Sequence, residues 1–132
     1  AIQMPDNRQE PTHSLMRALG AEAPWAERIG DADSLRTLLL DLGGYYDLLA
    51  PHADSVDVWH TIYRHPMVDA AAIVEWVRGT GLKPFVDRLP AELQASYLVE
   101  YERRVAQAYP VRADGKRLLA FPRMFIVAVK KT

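Results

Sequence analysis

The sequence predicts an α/β protein in which a small sheet is outnumbered by helices. Ser55 to Tyr63 alternates along the chain with the period of a strand, setting Val56, Val58, His60 and Ile62 on one face and Asp57, Trp59, Thr61 and Tyr63 on the other. Met124 to Val129 is an unbroken apolar run, the pattern of a strand covered on both faces. About sixty residues of mostly helical pattern separate the two strands. A sheet of two or three strands beside so many helices closes poorly, so further strands are expected outside this sequence.

Taken in order, Ile2 to Pro5 reads as the end of a strand. Pro5-Asp6-Asn7 stops it, because proline lacks a ladder donor while Asp and Asn favour turns. Apolar residues are already under way at Ala1 and Ile2, where chain ends are usually polar, so a processed end and a cut inside a strand are equal alternatives. Pro11 suits a first helical turn, with Leu15, Met16 and Leu19 at helical spacing and Gly20 as the stop. Trp25 and Ile29 indicate a short helical piece. Asp33-Ser34 is expected to cap another that carries Leu35, Leu38 and Leu39, and Gly43-Gly44 is expected to end it. Tyr45 to Leu49 follows as one short helix before Pro51, and His65-Pro66 is expected to end the strand from Ser55.

Asp69 caps a helix through about Arg78, with Ile73, Val74, Trp76 and Val77 as apolar positions and Gly79-Thr80-Gly81 as its stop. A short piece surrounds Phe85. Pro90 opens the longest helix, Ala91 to Tyr109, with Leu93, Tyr97, Leu98, Tyr101, Val105 and Ala108 along one side. Asp114-Gly115 marks a turn, and the last strand runs from Arg123 to Val129.

Composition excludes several classes of function. The 132 residues carry a formal net charge of −1, which argues against coating nucleic acid or an anionic membrane with positive charge. With no cysteine there are no disulfides, zinc ribbons, thiol nucleophiles or iron–sulfur clusters. No apolar run approaches the roughly 18–20 residues of a membrane span, and no basic-then-apolar leader opens the sequence, so a cytoplasmic protein is expected. His13, His52, His60 and His65 form no HxxxH or His–carboxylate pair on one helix face, and no metal site is expected.

Asp41-Leu42-Gly43-Gly44 superficially matches a glycine-rich nucleotide turn, but a Leu-rich helical pattern precedes it and no further spaced glycine follows. A helix stop is the better reading. Walker and serine-hydrolase motifs are absent. The end of the Ser55 strand gathers Trp59, Tyr63, Arg64 and His65, a mixture of aromatic, phenolic and cationic groups that suits a small anion. The competing explanation is that Trp59 and Tyr63 pack under a helix. Lys83 and Arg123, each beside a turn or strand start, either add charge to such a pocket or are plain surface cations.

Several phrases, in order and at their spacing, resemble the trans-aconitate 2-methyltransferase family of class I methyltransferases. They are Gln3-Met4-Pro5-Asp6-Asn7 with Glu10-Pro11-Thr12-His13, then Val58-Trp59 with Tyr63 and His65-Pro66-Met67. Ile73-Val74-Glu75-Trp76-Val77 and Gly79-Thr80-Gly81-Leu82-Lys83-Pro84 follow, and Phe121-Pro122-Arg123-Met124-Phe125-Ile126-Val127-Ala128 closes the set. The resemblance runs from the first residue almost to the last.

That resemblance implies the C-terminal part of a Rossmann-like class I methyltransferase sheet with a helical cap inserted between its last two strands. Residues 1–65 would hold strands five and six with their connecting helices, 66–110 the cap, and 111–132 the antiparallel seventh strand. It implies S-adenosylmethionine as cofactor, bound mainly by the half that is not in this sequence, so no cofactor ligand and no catalytic residue is carried over. The implied substrate is trans-aconitate or a related small anionic polycarboxylate, esterified at one carboxylate. Matching positions assign substrate contacts to His13, Tyr63, His65, Lys83 and Arg123, with Trp59 and Trp76 as walls.

Lys83 stands where the family commonly carries Arg, exchanging a planar fork for a point charge. Arg64 adds charge at an often uncharged position, and Arg8 replaces an apolar or aromatic residue. Two alternatives accompany this reading: a non-catalytic helical binding module, and a methyltransferase of the same fold acting on another small acid.

Overall fold

The computed structural model describes residues 1–132 and contains strands β1 (Ile2–Pro5), β2 (Ala53–Met67) and β3 (Arg117–Lys130). The α-helices are α1 (Pro11–Gly20), α2 (Ala26–Ile29), α3 (Leu42–Leu49), α4 (Ala70–Arg78), α5 (Lys83–Val86) and α6 (Ala91–Ala108), with short 3-10 turns at Ala32–Ser34 and Ala50–His52. The chain divides into two compact units. One comprises Ala1–Asn7, Leu38–Arg64 and Ala120–Thr132, and the other comprises Arg8–Thr37 and His65–Leu119.

The first unit is built on a three-stranded sheet in the order β1-β3-β2. β3 runs antiparallel to β1, with Ile2 opposite Ile126, Gln3 opposite Phe125, Met4 opposite Met124 and Pro5 opposite Arg123. Asp6 N–H extends this pairing by donating to Pro122 O at 2.9 Å. The sheet is antiparallel throughout, and Lys131 N–H donates to His52 O at 3.2 Å, tying the end of β3 to the start of β2. β1 and β2 therefore run parallel on either side of the last strand.

Both long strands extend beyond their sequence patterns. β2 continues through His65-Pro66 because it is an edge strand with β3 as its single neighbour, and an edge tolerates a residue without a donor. Its expected alternation holds at Val56 and Val58, which are half-buried, and then changes phase, leaving Trp59, His60, Ile62 and Tyr63 exposed and Thr61 half-buried. In β3, Pro122, Met124 and Ile126 are buried while the residues between them are half-buried, so one face is closed more fully than the other.

Gly43-Gly44 does not end a helix. Asp41 accepts from Gly44 N–H at 2.7 Å and caps α3, whose first turn contains both glycines. A good carboxylate cap outweighs the low helix propensity of two glycines at a terminus, where propensity matters least. The helix expected over Leu35, Leu38 and Leu39 is correspondingly absent. Only the Ala32–Ser34 turn forms there, and Leu38 and Leu40 are exposed.

The second unit is a helical assembly in which α6 packs against both α1 and α4. Its core includes Met16, Leu19, Ile29, Ile73, Val77, Leu82, Phe85, Tyr97, Tyr101 and Val105. Two tyrosines are fully buried because their hydroxyls find partners: Tyr97 donates to Met16 O at 3.0 Å and Tyr101 to Thr12 O at 2.7 Å. Thr12 N–H donates to the Tyr109 hydroxyl at 3.2 Å, and Trp25 Nε1 donates to Ser96 Oγ at 3.0 Å. Burial also pushes the Tyr97 and Tyr101 phenols well above their ordinary range, so both remain donors.

Asp69 caps α4 by accepting from Ala72 N–H at 2.8 Å. Arg104 on α6 makes a two-pronged pair with Glu22 at 2.6 and 2.8 Å and reaches Glu100 at 3.0 Å. These long-range ties place Arg8–Thr37 with the later helices.

Candidate functional site

In the sheet unit, β2 and β3 set the predicted residues side by side. Trp59 stacks on Phe125 with ring centroids 5.3 Å apart and planes 5° from parallel. That contact accounts for one face of Trp59, which is still 43% exposed. Arg123 lies over Phe121, 5.8 Å from its ring centroid, and its Nε is 3.4 Å from Gln3 Oε1. Tyr63 is exposed on the same strand as Trp59, four residues on. His60 Nε2 is 2.6 Å from Asp6 Oδ2, a strong pair that joins β2 to the residue following β1. Asn7 is buried, and its Oδ1 has no hydrogen-bond partner in the chain.

In the helical unit, α1 positions His13 and Arg17 one turn apart on the same side of the helix. His13 is buried, with Nδ1 2.9 Å from Thr12 Oγ1. Burial and the nearby Arg36 and Arg17 cations lower its pKa to about 4, so the ring is neutral at pH 7. Arg17 Nη1 donates to Arg8 O at 2.7 Å. Burial, Arg8 and Arg36 lower the Arg17 pKa, with Asp33 partly opposing them. Arg8, Arg17, Arg36, Asp33 and His13 line one cavity of about 10 Å³ together with Gly81 and Phe85.

The other predicted residues of this unit lie elsewhere on it. His65 and Trp76 form a tilted aromatic pair, with centroids 5.0 Å apart and a 34° angle, and Trp76 is 45% exposed rather than part of the apolar face of α4. Lys83 pairs with Asp87 at 2.7 Å, an exposed i,i+4 ion pair between the first residue of α5 and the residue that follows it.

Of the seven residues expected to contact substrate, the structure joins His65 to Trp76 and puts Trp59, Tyr63 and Arg123 on one sheet. His13 sits in a cationic pocket that sequence reasoning missed. In the sequence Arg8 stands out only as a departure from the family, and nothing marks Arg36. The usable signal was Arg17, four residues after His13 on a helix whose other residues at that spacing are core.

A three-stranded antiparallel sheet with a separate helical unit makes this a mixed α/β chain, consistent with part of a methyltransferase. Its relatives narrow the class. Over 99% of its length the chain is 86% identical to trans-aconitate 2-methyltransferase of Variovorax paradoxus, and over 97% it is 69% identical to the protein of that name from Paracidovorax citrulli. A third, from Delftia acidovorans, is 59% identical over 99% of the chain. These matches bear out the resemblance to the trans-aconitate 2-methyltransferase family. The chain spans about half the length of the curated relatives it matches, covering 51%, 49% and 52% of these three. No family model matches the chain. No helix is long and apolar enough to cross a membrane.

Proposed function

We propose that this chain is the C-terminal portion of an S-adenosylmethionine-dependent carboxyl O-methyltransferase that forms the monomethyl ester of trans-aconitate or a related small polycarboxylate in the cytoplasm. The carrying observation is the 86% identity over 131 residues to a protein named trans-aconitate 2-methyltransferase. The sheet supports the same reading. A last strand running antiparallel between two parallel neighbours suits one edge of a class I methyltransferase sheet, with β1, β2 and β3 as its fifth, sixth and seventh strands. The residues from 66 to 110, assigned as the cap, fall within the helical unit.

When bound, S-adenosylmethionine supplies an electrophilic methyl group, and a carboxylate, already an anion at neutral pH, accepts it without a general base. The residues of this chain do not by themselves fit the cofactor. Gly43 and Gly44 lie in the first turn of α3 with no strand before them, and the lone buried acceptor of Asn7 is not a site. The cofactor is therefore assigned to the other half of the protein. The work assigned to this chain is to grip the acid, hold its reacting oxygen in line and keep water away. In the sheet unit, Arg123 and Tyr63 are the assigned contacts with Trp59 as a wall. In the helical unit they are His13, His65 and Lys83, with Trp76 as a wall. Lys83 is the weakest of these, since Asp87 already shares its charge.

Incubating the full-length protein with methyl-labelled cofactor and a panel of di- and tricarboxylates tests the reading. Label is expected on trans-aconitate with a single ester formed. Label on another acid alone would replace the substrate, and label on no acid would favour a non-catalytic binding module.

A further inference from the structure

In the sheet unit, Arg123 is held by neutral groups alone. The pairing of β1 with β3 sets Gln3 opposite Phe125 and Pro5 opposite Arg123, and residues opposite each other in an antiparallel pair share a face. Gln3 and Arg123 are therefore diagonal neighbours on one face, and such neighbours, about 7–8 Å apart, are within reach of long side chains. Gln3 Oε1 lies 3.4 Å from Arg123 Nε, and the guanidinium carbon lies 5.8 Å from the ring centroid of Phe121, two residues back on the same face. Each hold is weak by itself, the first being long for a hydrogen bond. Together they meet the guanidinium on one edge and one face, and its Nη1 and Nη2 have no hydrogen-bond partner in the chain. None of the ion pairs of the chain includes Arg123, which is half-buried. Asp6 follows Pro5, but alternation turns it to the other face, and its Oδ2 is engaged by His60 Nε2 at 2.6 Å.

We propose that Gln3 is a positioning residue for substrate binding, a neutral tether that turns the Nη1 and Nη2 edge of Arg123 toward a carboxylate of the acid without cancelling its charge. The inference rests on the methyltransferase reading, which assigns Arg123 to the substrate, and adds how that cation is kept available. Guanidinium meets a carboxylate through two parallel N–H···O bonds, so its direction matters as much as its charge. With Nε turned to Gln3, the end-on approach through Nη1 and Nη2 is the one left open. A glutamate here would reach the same Nε, but it would bring a resident counter-ion that the acid must displace. Glutamine supplies the same acceptor on a side chain of the same length with no charge. Phe121 and Phe125 flank Arg123 along this face of β3, and Trp59 stacks on Phe125, so the remaining surroundings of the cation are aromatic and equally uncharged.

Kinetics of the full-length protein with trans-aconitate and methyl-labelled cofactor test the tether in Gln3→Glu and Gln3→Met, two changes at an exposed position. Gln3→Glu is expected to raise the KM for trans-aconitate about tenfold and Gln3→Met only a few-fold, with the cofactor KM unchanged in both. A bond that merely fastened β1 to β3 predicts the reverse order, because the ion pair made by Gln3→Glu would fasten the strands at least as well, whereas Gln3→Met loses the bond. An unchanged substrate KM in Gln3→Glu, or a larger rise in Gln3→Met, would overturn the proposal. Calorimetric titration with trans-aconitate, without methyl donor, separates the tether from the activity. If trans-aconitate is methylated while Gln3→Glu keeps both KM and affinity, the tether fails and the activity stands. If no acid is methylated while Gln3→Glu weakens trans-aconitate binding about tenfold, the activity fails and the tether stands. A wild-type protein that neither binds nor methylates trans-aconitate overturns both.

Discussion

His13 shows how a single residue responds to its surroundings. Its pKa is lowered to about 4 by burial, with Arg36 and Arg17 adding to the effect, against 6.5 for an ordinary imidazole. Between those values the unfolded chain binds a proton that the folded chain refuses, so stability rises with pH across that window. The full contribution is present above pH 6.5 and is lost as pH falls to 4, amounting to about 3 kcal/mol. Denaturant unfolding from pH 7 to 4 is expected to show this slope, and His13→Gln is expected to flatten it. The carboxylates of Glu22 and Glu100 are held low by hydrogen bonds from arginines, so their stabilisation is lost as pH falls below the ordinary carboxylate value, at the acid end of this window. Gly81→Ala tests the other side of the ring. Its Cβ would lie 2.7 Å from His13 Nε2, 3.2 Å from Cδ2 and 3.4 Å from Met16 Cε, in a place with no spare room. Overpacking of this kind costs about 1–3 kcal/mol, seen as a lower unfolding midpoint with an unchanged denaturant slope.

At the scale of elements, α3 turns on one cap. Removing the carboxylate in Asp41→Ala is expected to cost about 1 kcal/mol and to speed amide exchange at Gly44 and Tyr45 before any other helix responds. The same element marks the limit of reading from pattern. Two adjacent glycines looked like an ending because glycine is a poor helix former, while the competing signal was an aspartate three residues before Gly44. Where the apolar period was long, as in α6, or joined to a capping aspartate, as in α4, the element was legible almost to the residue. β2 and β3 were legible as strands but not in extent, because an edge position for Pro66 and a change of phase after Val58 depend on neighbours. The cationic pocket was the least legible feature. Arg8, Arg17 and Arg36 come from a loop, a helix and an irregular segment, and no local period brings them together.

For the molecule as a whole, local pattern was silent on two arrangements: the order of the sheet and the grouping of α1 with α6. The sheet order lies in hydrogen bonds between ends of the chain, and the helix grouping in tyrosine hydroxyls that reach back more than eighty residues. Resemblance supplied what pattern lacked for the sheet, since it placed an antiparallel last strand there. The position of β3 also sets a timetable. Within this chain β1 is made first, β2 next and β3 last, yet β3 is the partner of both. During synthesis the first two strands wait without their shared neighbour until β3 follows and pairs with both. Deleting residues 123–132 is therefore expected to release β1 and β2 together, seen as concerted protease cleavage in both segments, while the hydroxyl ties of the helical unit, all made before residue 110, resist the protease longer.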